Sequence, residues 1–453
     1  MIYIYQHINS DWLFDMYETL TIQAYVEGQW HDALDLTVSD THAVAGKRTT
    51  TSYKAAYLAD FFEASESLFE HAVSVNLPVN WSAEDSKGFP AFIFDIIPAG
   101  HARSSLLKRF NNEIPAETDL DLFLLGRCTP SPIGNLRVKE SVEALEDTGE
   151  EAFARQEVVT RTNDFLEYAY EAGAALGGAT GAQGEAPKLL LAEGPDGQLY
   201  ADAMLDDSLV SSHWLVKFAR NKVTENDKNI LRAEYQYYKA VASLGLNTVS
   251  TDGLSLEEAE KPSLWMPRFD RTVAGGSVER IPVESVYSLL GNTEPGSRLK
   301  HETVLSRLAE LWWMAGQTDE IPELIFEYIR RDLLNRILGN SDNHGRNTSI
   351  FRHRGRFDLA PIYDLAPMVL DAEGVTRATK WETEKKGNPR WREICAYFPQ
   401  WYSPDELYER IRKAAGEFRA LPDLLVDMPL DVRQTKAIPV NNLESNLELW
   451  GLL

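Results

Sequence analysis

The most restrictive stretch of this 453-residue chain is Gly339-Asn340-Ser341-Asp342-Asn343-His344-Gly345-Arg346-Asn347, followed by Thr348 to Phe351, a basic turn, and Ile362-Tyr363-Asp364. Upstream, Ile325, Ile329, Leu333 and Ile337 recur every four residues, which predicts a helix over 321–338 that delivers Gly339 to the loop. Downstream, Thr348-Ser349-Ile350-Phe351 and Arg356-Phe357-Asp358-Leu359 read as two short strands joined near Arg354-Gly355, where glycine permits the positive φ of a tight hairpin. A two-residue turn there pairs Asn347 roughly with Ile362 and leaves Asp364 just beyond Asn347. An Asn amide oxygen beside a carboxylate suits Mg²⁺, a hard cation that takes one or two protein groups together with substrate phosphates. Asp342, five residues before Asn347 on the same loop, is then a carboxylate with no metal to hold and is free to orient a hydroxyl. Taken alone, such a run also makes an ordinary polar turn. A phosphoryl-transfer site therefore needs support from upstream.

A chain of this length can bury a large core and is expected to contain two or three domains. Its hydrophobic share of 44% and charged share of 25% are those of a soluble globular protein. There is no basic-then-apolar secretory start and no apolar run long enough to cross a bilayer, so a cytoplasmic location without membrane contact is expected. There Cys128 and Cys395 would stay reduced, and two isolated cysteines offer no metal-ligand cluster. The formal net charge of -24 argues against bulk electrostatic affinity for nucleic acid and favours a basic protein partner, although it also serves plain solubility.

In chain order, residues 1–137 form a first block with its own core, containing short apolar runs such as Ile2-Tyr3-Ile4-Tyr5 and Phe92-Ile93-Phe94-Asp95. Arg103, Lys108 and Arg109 form a basic helix face, solvated or in contact with an acidic group. Residues 138–163 are an acidic linker or helix, with Glu140, Glu143, Glu146, Asp147, Glu150 and Glu151, and mark a domain boundary. An amphipathic helix from Thr162 to Ala175 opens the next unit, 164–266. Gly177-Gly178-Ala179-Thr180-Gly181-Ala182-Gln183-Gly184 then reads either as a flexible linker or as a phosphate cradle, because glycine lets backbone N–H groups approach an anion closely. Lys188-Leu189-Leu190-Leu191 opens a strand hairpin turned at Pro195-Asp196-Gly197.

The next strand, Ser212 to Phe218, holds Lys217 among apolar neighbours, where an ammonium is costly unless it reaches an anion. The helix from Asn229 to Leu244 carries Glu234. A strand lysine followed by a helix glutamate orients a nucleotide phosphate in a kinase N-terminal lobe; an edge lysine and a solvated glutamate are the alternative. Trp265-Met266 reads as a link between lobes that holds an adenine, or as a buried strand end. Arg268 to Arg271 could be an internal salt-bridge knot. The remaining unit, 267–453, reads as largely helical, with helices at 302–316 and 321–338. The basic loop from Lys380 to Arg390 is solvated or holds an anionic substrate.

In this order, the motifs resemble those of HipA-family serine/threonine kinases, the toxins of HipBA-type toxin–antitoxin pairs. The resemblance rests on Gly178 to Gln183, His213 to Phe218, Arg268 to Arg271, Asp342 to Asn347, and Ala360 to Leu365. It implies an α+β, two-lobed, protein-kinase-like fold with a mostly helical C-terminal lobe and an N-terminal β-rich subdomain. It also implies ATP and Mg²⁺ as cofactors. By the resemblance, Lys217 contacts the nucleotide phosphates, Glu234 holds Lys217, Asp342 is the catalytic base, and Asn347 and Asp364 bind Mg²⁺. Gly181, Ala182, Gln183, Trp265, Met266 and His344 complete the nucleotide site, with a structural role the alternative for His344.

The implied partners are a protein substrate and a small basic helix-turn-helix antitoxin, with nucleic acid reached only through that antitoxin. Family members with a regulatory autophosphorylated serine carry it at the start of the Gly-Ala-Gln loop. This chain has Gly178 there. Two other functions fit the same scaffold: a regulatory module bound to an antitoxin, and a small-molecule or lipid kinase.

Overall fold

The computed structural model describes residues 19–39, 48–62, 69–115, 118–145, 150–161, 163–176, 186–220, 222–385 and 387–453. Ile2 to Tyr5 and the glycine-rich loop, with Gly178, Gly181, Ala182 and Gln183, lie outside the described residues. The first block is built on an antiparallel sheet with strands β1 (Thr19–Val26), β2 (Gln29–Ser39), β3 (Arg48–Tyr53), β4 (Glu84–Lys87) and β5 (Leu136–Val138), ordered β4-β3-β2-β1-β5. Leu20, Ile22 and Ala24 alternate along β1 and are buried, as a sheet with one face on a core requires. At one edge β4 is a short, polar Glu-Asp-Ser-Lys strand, a composition that discourages pairing with other chains. Of the run Phe92-Ile93-Phe94-Asp95, the last three residues lie in a single helical turn, Ile93–Ile96, with Phe92 at its N-cap.

A second antiparallel sheet follows, with β6 (Ala175–Leu176), β7 (Lys188–Glu193), β9 (Ser212–Phe218), β10 (Ser255–Glu257) and β11 (Ser263–Pro267) in the order β10-β11-β9-β7-β6, and β8 (Leu199–Ala201) paired to β7. The first block does not keep a core of its own, contrary to the expectation from sequence. Leu20, Ile22, Leu36 and Leu124 share one apolar cluster with Phe165, Leu189, Val216 and Trp265. Two small units separated by an acidic stretch gain more buried area by merging their apolar faces than by closing each face separately. Within that stretch Glu140 is buried, and both its carboxylate oxygens lie 3.0 Å from the Thr21 N–H that donates to them.

The second apolar cluster belongs to the helices Glu225–Ser243, His301–Met314, Ile321–Ile337 and Pro404–Glu417. Strand β11 is the seam between the clusters. Leu264 and Met266 enter the helical core, while Trp265 between them enters the first, the ordinary alternation of a strand. The expected salt-bridge knot is also here. Arg268 reaches Asp202 at 3.0 Å and Asp270 at 2.7 Å, and Arg271 reaches Asp270 at 2.6 Å. Both arginines donate to backbone carbonyls of the first block, Arg268 to Pro132 at 2.9 Å and Arg271 to Gly134 at 2.6 Å. The charges thus fasten the first block to the end of β11.

Ile325, Ile329, Leu333 and Ile337 are all fully buried, and their helix ends at Gly339, whose φ is 68°. A Cβ at Gly339 would meet Val369 Cγ2 at 2.9 Å, so both the left-handed turn and the close approach require glycine there. Cys128 and Cys395 are free and buried. Among the described residues no helix is long and apolar enough to cross a membrane. The 380–390 loop packs on the helices through Trp381, which stacks on His301 at 4.5 Å between ring centroids.

Ile329→Ala is expected to cost about 2–5 kcal/mol and Ile329→Val about 0.5–1.5 kcal/mol, read from urea midpoints at constant m-value. Asp332, on the same helix, accepts from Arg377 at 3.0 Å and from Trp381 Nε1 at 2.7 Å. Burial alone would raise its carboxyl, but Arg377 and His301 outweigh that and hold it well below the usual range. A depressed carboxyl stabilises the fold above the unfolded-state value near about 3.9 and loses that contribution as pH falls through the folded-state value. The urea midpoint should therefore drop below about pH 4 in the wild type and depend less on pH there in Asp332→Asn.

Candidate active site

Alternation along β9 sends Trp214, Val216 and Phe218 into the first core and turns Lys217 to the opposite face. Across β7 its direct register partner is another cation, Lys188. Two ammonium groups opposed on neighbouring strands repel unless an anion lies between them. Asp364 is that anion. Its Oδ1 accepts from Lys217 Nζ at 2.6 Å and its Oδ2 from Lys188 Nζ at 2.9 Å. Lys217 also donates to Glu234 Oε2 at 2.6 Å.

Burial works against both charge states here, yet the charges outweigh it. The Lys217 ammonium is held above its ordinary range by Asp364 and Glu234, and the Asp364 carboxyl well below its own by Lys188 and Lys217. Tyr238 extends the cluster, its hydroxyl donating to Glu234 Oε1 at 3.0 Å and accepting the Leu365 N–H at 3.3 Å. Asp364 itself has φ 52°, a left-handed conformation that costs a non-glycine residue energy and that the surrounding contacts hold in place.

The hairpin forms with the expected register: His353 pairs with Arg356 and Ile350 with Leu359. Its turn residues Arg354 and Gly355 have φ of 49° and 70°, as a two-residue primed turn requires. The preceding loop is held by three asparagines. Asn340 Oδ1 accepts the Asp342 N–H at 3.2 Å, and its Nδ2 donates to the Asp364 carbonyl at 3.3 Å. Asn343 Nδ2 donates to the Thr379 carbonyl at 2.9 Å. Asn347 Nδ2 donates to the Asp342 carbonyl at 2.6 Å, and no described residue donates to its Oδ1. That geometry leaves Asn347 an acceptor oxygen for a hard cation.

His344 is buried, and its Nε2 lies 3.5 Å from Asp342 Oδ1. Its Nδ1 accepts the Arg346 N–H at 3.3 Å, which places the imidazole proton on Nε2, facing Asp342. Burial pulls the imidazole below its ordinary value despite Asp342 and Asp364, so the ring is neutral near pH 7. Gly345 lies flat on Tyr287, where a Cβ would come within 2.3 Å of Cδ1. Any larger residue would push the loop off that ring.

The cleft brings most of the expected residues together. One cavity is lined by Met266, Asn347 and Asp364, and an adjoining one by Asp342 and His344; Lys188, Lys217, Glu234 and Asp364 line both. Trp265 is the exception. Its ring points into the first core, where Arg155 covers it at 4.1 Å and Ser263 accepts from its Nε1 at 3.0 Å. The alternation that turns Met266 to the cleft turns Trp265 away. Gly181, Ala182 and Gln183 lie outside the described residues.

Three further cleft residues had not been expected: Lys188, Asp95 and Arg346. Lys188 opens an apolar run much as Lys217 sits in one, a signal that the chemistry of a buried ammonium could have exposed. Asp95 and Arg346, 3.7 Å apart, come from the first block and the 340–347 loop, and no local pattern joins them. Burial raises the Asp95 carboxyl to about 6, against the pull of Arg346 and Ser285.

A family model described as the HipA-like C-terminal domain matches residues 177–421, more than half of the chain. The chain belongs to the HipA-like family. The matched span contains Lys188, Lys217, Glu234, Asp342, Asn347 and Asp364. HipA from the Shewanella oneidensis MR-1 HipA, HipB and operator DNA complex superposes with a TM-score of 0.65 at 17% identity, covering 96% of each chain. That likeness extends the HipA-like, two-lobed α+β fold to the first block. The Helicobacter pylori proinflammatory kinase CtkA aligns at a TM-score of 0.34 and 15% identity, over 60% of this chain and 90% of its own, too weak a likeness to build on. No curated protein matches the sequence.

Among the described residues no group of three or more His, Cys, Asp or Glu could hold a metal ion. The HipA-like cleft instead offers the Asn347 amide oxygen and the Asp364 carboxylate, a donor set that fits Mg²⁺ arriving with phosphates. Because Asp364 serves both lysines, Lys188→Ala and Asp364→Ala should be non-additive. A urea-denaturation double-mutant cycle is expected to give a coupling of about 0.5–3 kcal/mol, and a value near zero would show that the two groups act independently.

Proposed function

We propose that this HipA-like chain is an ATP- and Mg²⁺-dependent serine/threonine protein kinase that transfers the γ-phosphoryl group to a Ser or Thr hydroxyl of a cellular protein. The observation that carries the reading is Lys217 clamped between Glu234 and Asp364 at 2.6 Å each, beside the loop that presents Asp342 and Asn347. Lys217 and Lys188 supply positive charge for the nucleotide phosphates, and Glu234 keeps Lys217 aimed. Asn347 and Asp364 would hold Mg²⁺, which neutralises developing phosphate charge when bound. Asp342, with the neutral His344 N–H directed at it, orients the acceptor hydroxyl and takes its proton. Catalysis on this scheme is positioning plus electrostatic stabilisation. Met266 lines the apolar wall on which an adenine would lie, while the Trp265 ring serves the core; Gly181, Ala182 and Gln183 are assigned to the phosphates from the family resemblance.

The net charge of -24 and the HipA–HipB pairing in the structural relative support a partner of opposite charge, a small basic helix-turn-helix antitoxin through which operator DNA is reached. Both activities belong in the cytoplasm. With labelled ATP, Mg²⁺ and host lysate, Asp342→Ala is expected to lower protein labelling about 10²–10⁴-fold while nucleotide binding persists. Wild-type labelling no higher than that of Asp342→Ala would refute the kinase assignment. Phosphoproteomics after brief expression of wild type against Asp364→Ala would report the target.

A further inference from the structure

We propose that the segment following Asp364 fixes Asp342 for phosphoryl transfer: Thr379 is a positioning residue that holds the loop through Asn343, and a ring of ion pairs closed by Glu384 holds Thr379. This deepens the kinase reading above and rests on it. Thr379 and Asn343 are both buried. The Asn343 amide spans the Thr379 backbone, its Nδ2 donating to the carbonyl at 2.9 Å and its Oδ1 accepting the N–H at 3.3 Å. Thr379 Oγ1 in turn donates to the Asn343 carbonyl at 2.7 Å. Asn343 is the residue after Asp342, whose own N–H and carbonyl are bonded to Asn340 and Asn347 within the loop. Thr379 thus holds the neighbour of Asp342 from outside the loop.

Thr379 is itself anchored on either side. Alternate residues of an extended chain face the same way, and Arg377, Thr379 and Trp381 all turn inward. Arg377 donates to one oxygen of Asp332 at 3.0 Å, and Trp381 Nε1 donates to the other at 2.7 Å. Glu384 accepts from Arg377 at 2.8 Å, from Arg336, and from the Trp381 N–H at 3.1 Å. Arg336 also lies 3.5 Å from Asp332, so two arginines and two carboxylates form a closed ring largely withdrawn from water. Without the Glu384 charge, two cations would share one carboxylate there, a costly arrangement away from solvent. Asp332 and Arg336 belong to the helix Ile321–Ile337, which runs into the loop at Gly339. The helix therefore reaches the Asp342 loop twice, once along the chain and once through Thr379. Kinase segments that switch are ordered when an added phosphate pairs with arginines. Here Glu384 supplies the anion to Arg336 and Arg377 without modification.

The test uses the full chain as wild type, Thr379→Val, Thr379→Ser and Glu384→Gln. Hydrogen exchange of the 340–347 amides is read by mass spectrometry with β2 as the internal reference, and labelling of host lysate is measured over a range of labelled ATP concentrations. Thr379→Val, which keeps the shape and loses the hydroxyl, should speed exchange in 340–347 about 10-fold relative to β2. Its maximal labelling rate should fall about 10²-fold while the apparent KM for ATP stays within about 2-fold. Thr379→Ser, which restores the donor, should recover both readouts to within about 3-fold of wild type. Glu384→Gln should move both in the same direction as Thr379→Val, and it decides by the same criteria if Thr379→Val fails to melt cooperatively. Unchanged exchange in 340–347, a wild-type maximal rate, or a loss carried by the KM for ATP overturns the proposal. Wild-type labelling that the substitutions leave intact removes the positioning role and keeps the kinase. Wild-type labelling no higher than that of Asp342→Ala refutes the kinase reading and the positioning role with it.

Discussion

The structure depends on a repulsion and its remedy. Lys188 and Lys217 face each other across β7 and β9, both largely withdrawn from water, and Asp364 accepts from both. An unpaired ammonium in that position would cost several kcal/mol in desolvation, so the N-lobe sheet can close only if the carboxylate arrives from the other lobe. Asp364 arrives on the far side of a hairpin, in a left-handed backbone conformation, and Glu234 completes the neutralisation from the helix. The contact that stabilises the two lobes together is thus also the contact that gathers two cations and a carboxylate in the cleft. The same four side chains that join the lobes line the cleft.

Around this cluster, rigidity comes from groups that are already satisfied. Three asparagines hold the 340–347 loop through backbone bonds, and no described residue donates to the Asn347 Oδ1. Tyr287 supports Gly345 from below, and the knot of Arg268, Asp270, Arg271 and Asp202 anchors the first block at the end of the seam strand. The first block therefore serves the site in two ways. It shares the core on which the N-lobe sheet rests, and it places Asp95 against Arg346 where the cleft opens outward.

Much of the site was legible because its signals are local. Helical period four delivers Gly339, a two-residue turn sets the register that brings Asp364 back to Asn347, and a lysine in an apolar strand demands an anion. Trp265 shows the limit of local reading. Trp265 and Met266 are both apolar and adjacent, and nothing in their neighbourhood says which of two cores receives which residue. The direction follows from the pairing of β11 with β9, and it sends the larger ring away from the cleft.

By itself the sequence determined the element types, the order of the motifs and the chemistry available at Lys217, Glu234, Asp342, Asn347 and Asp364, because period, turn geometry and the cost of buried charge act over a few residues. Only the tertiary structure decided that Lys188 opposes Lys217, that Asp95 meets Arg346, and that the first block and the N-lobe share one core. Those are contacts between segments up to 251 positions apart, as Asp95 and Arg346 are (346 − 95), and strand pairing and apolar burial bring them together without leaving a pattern in either segment alone.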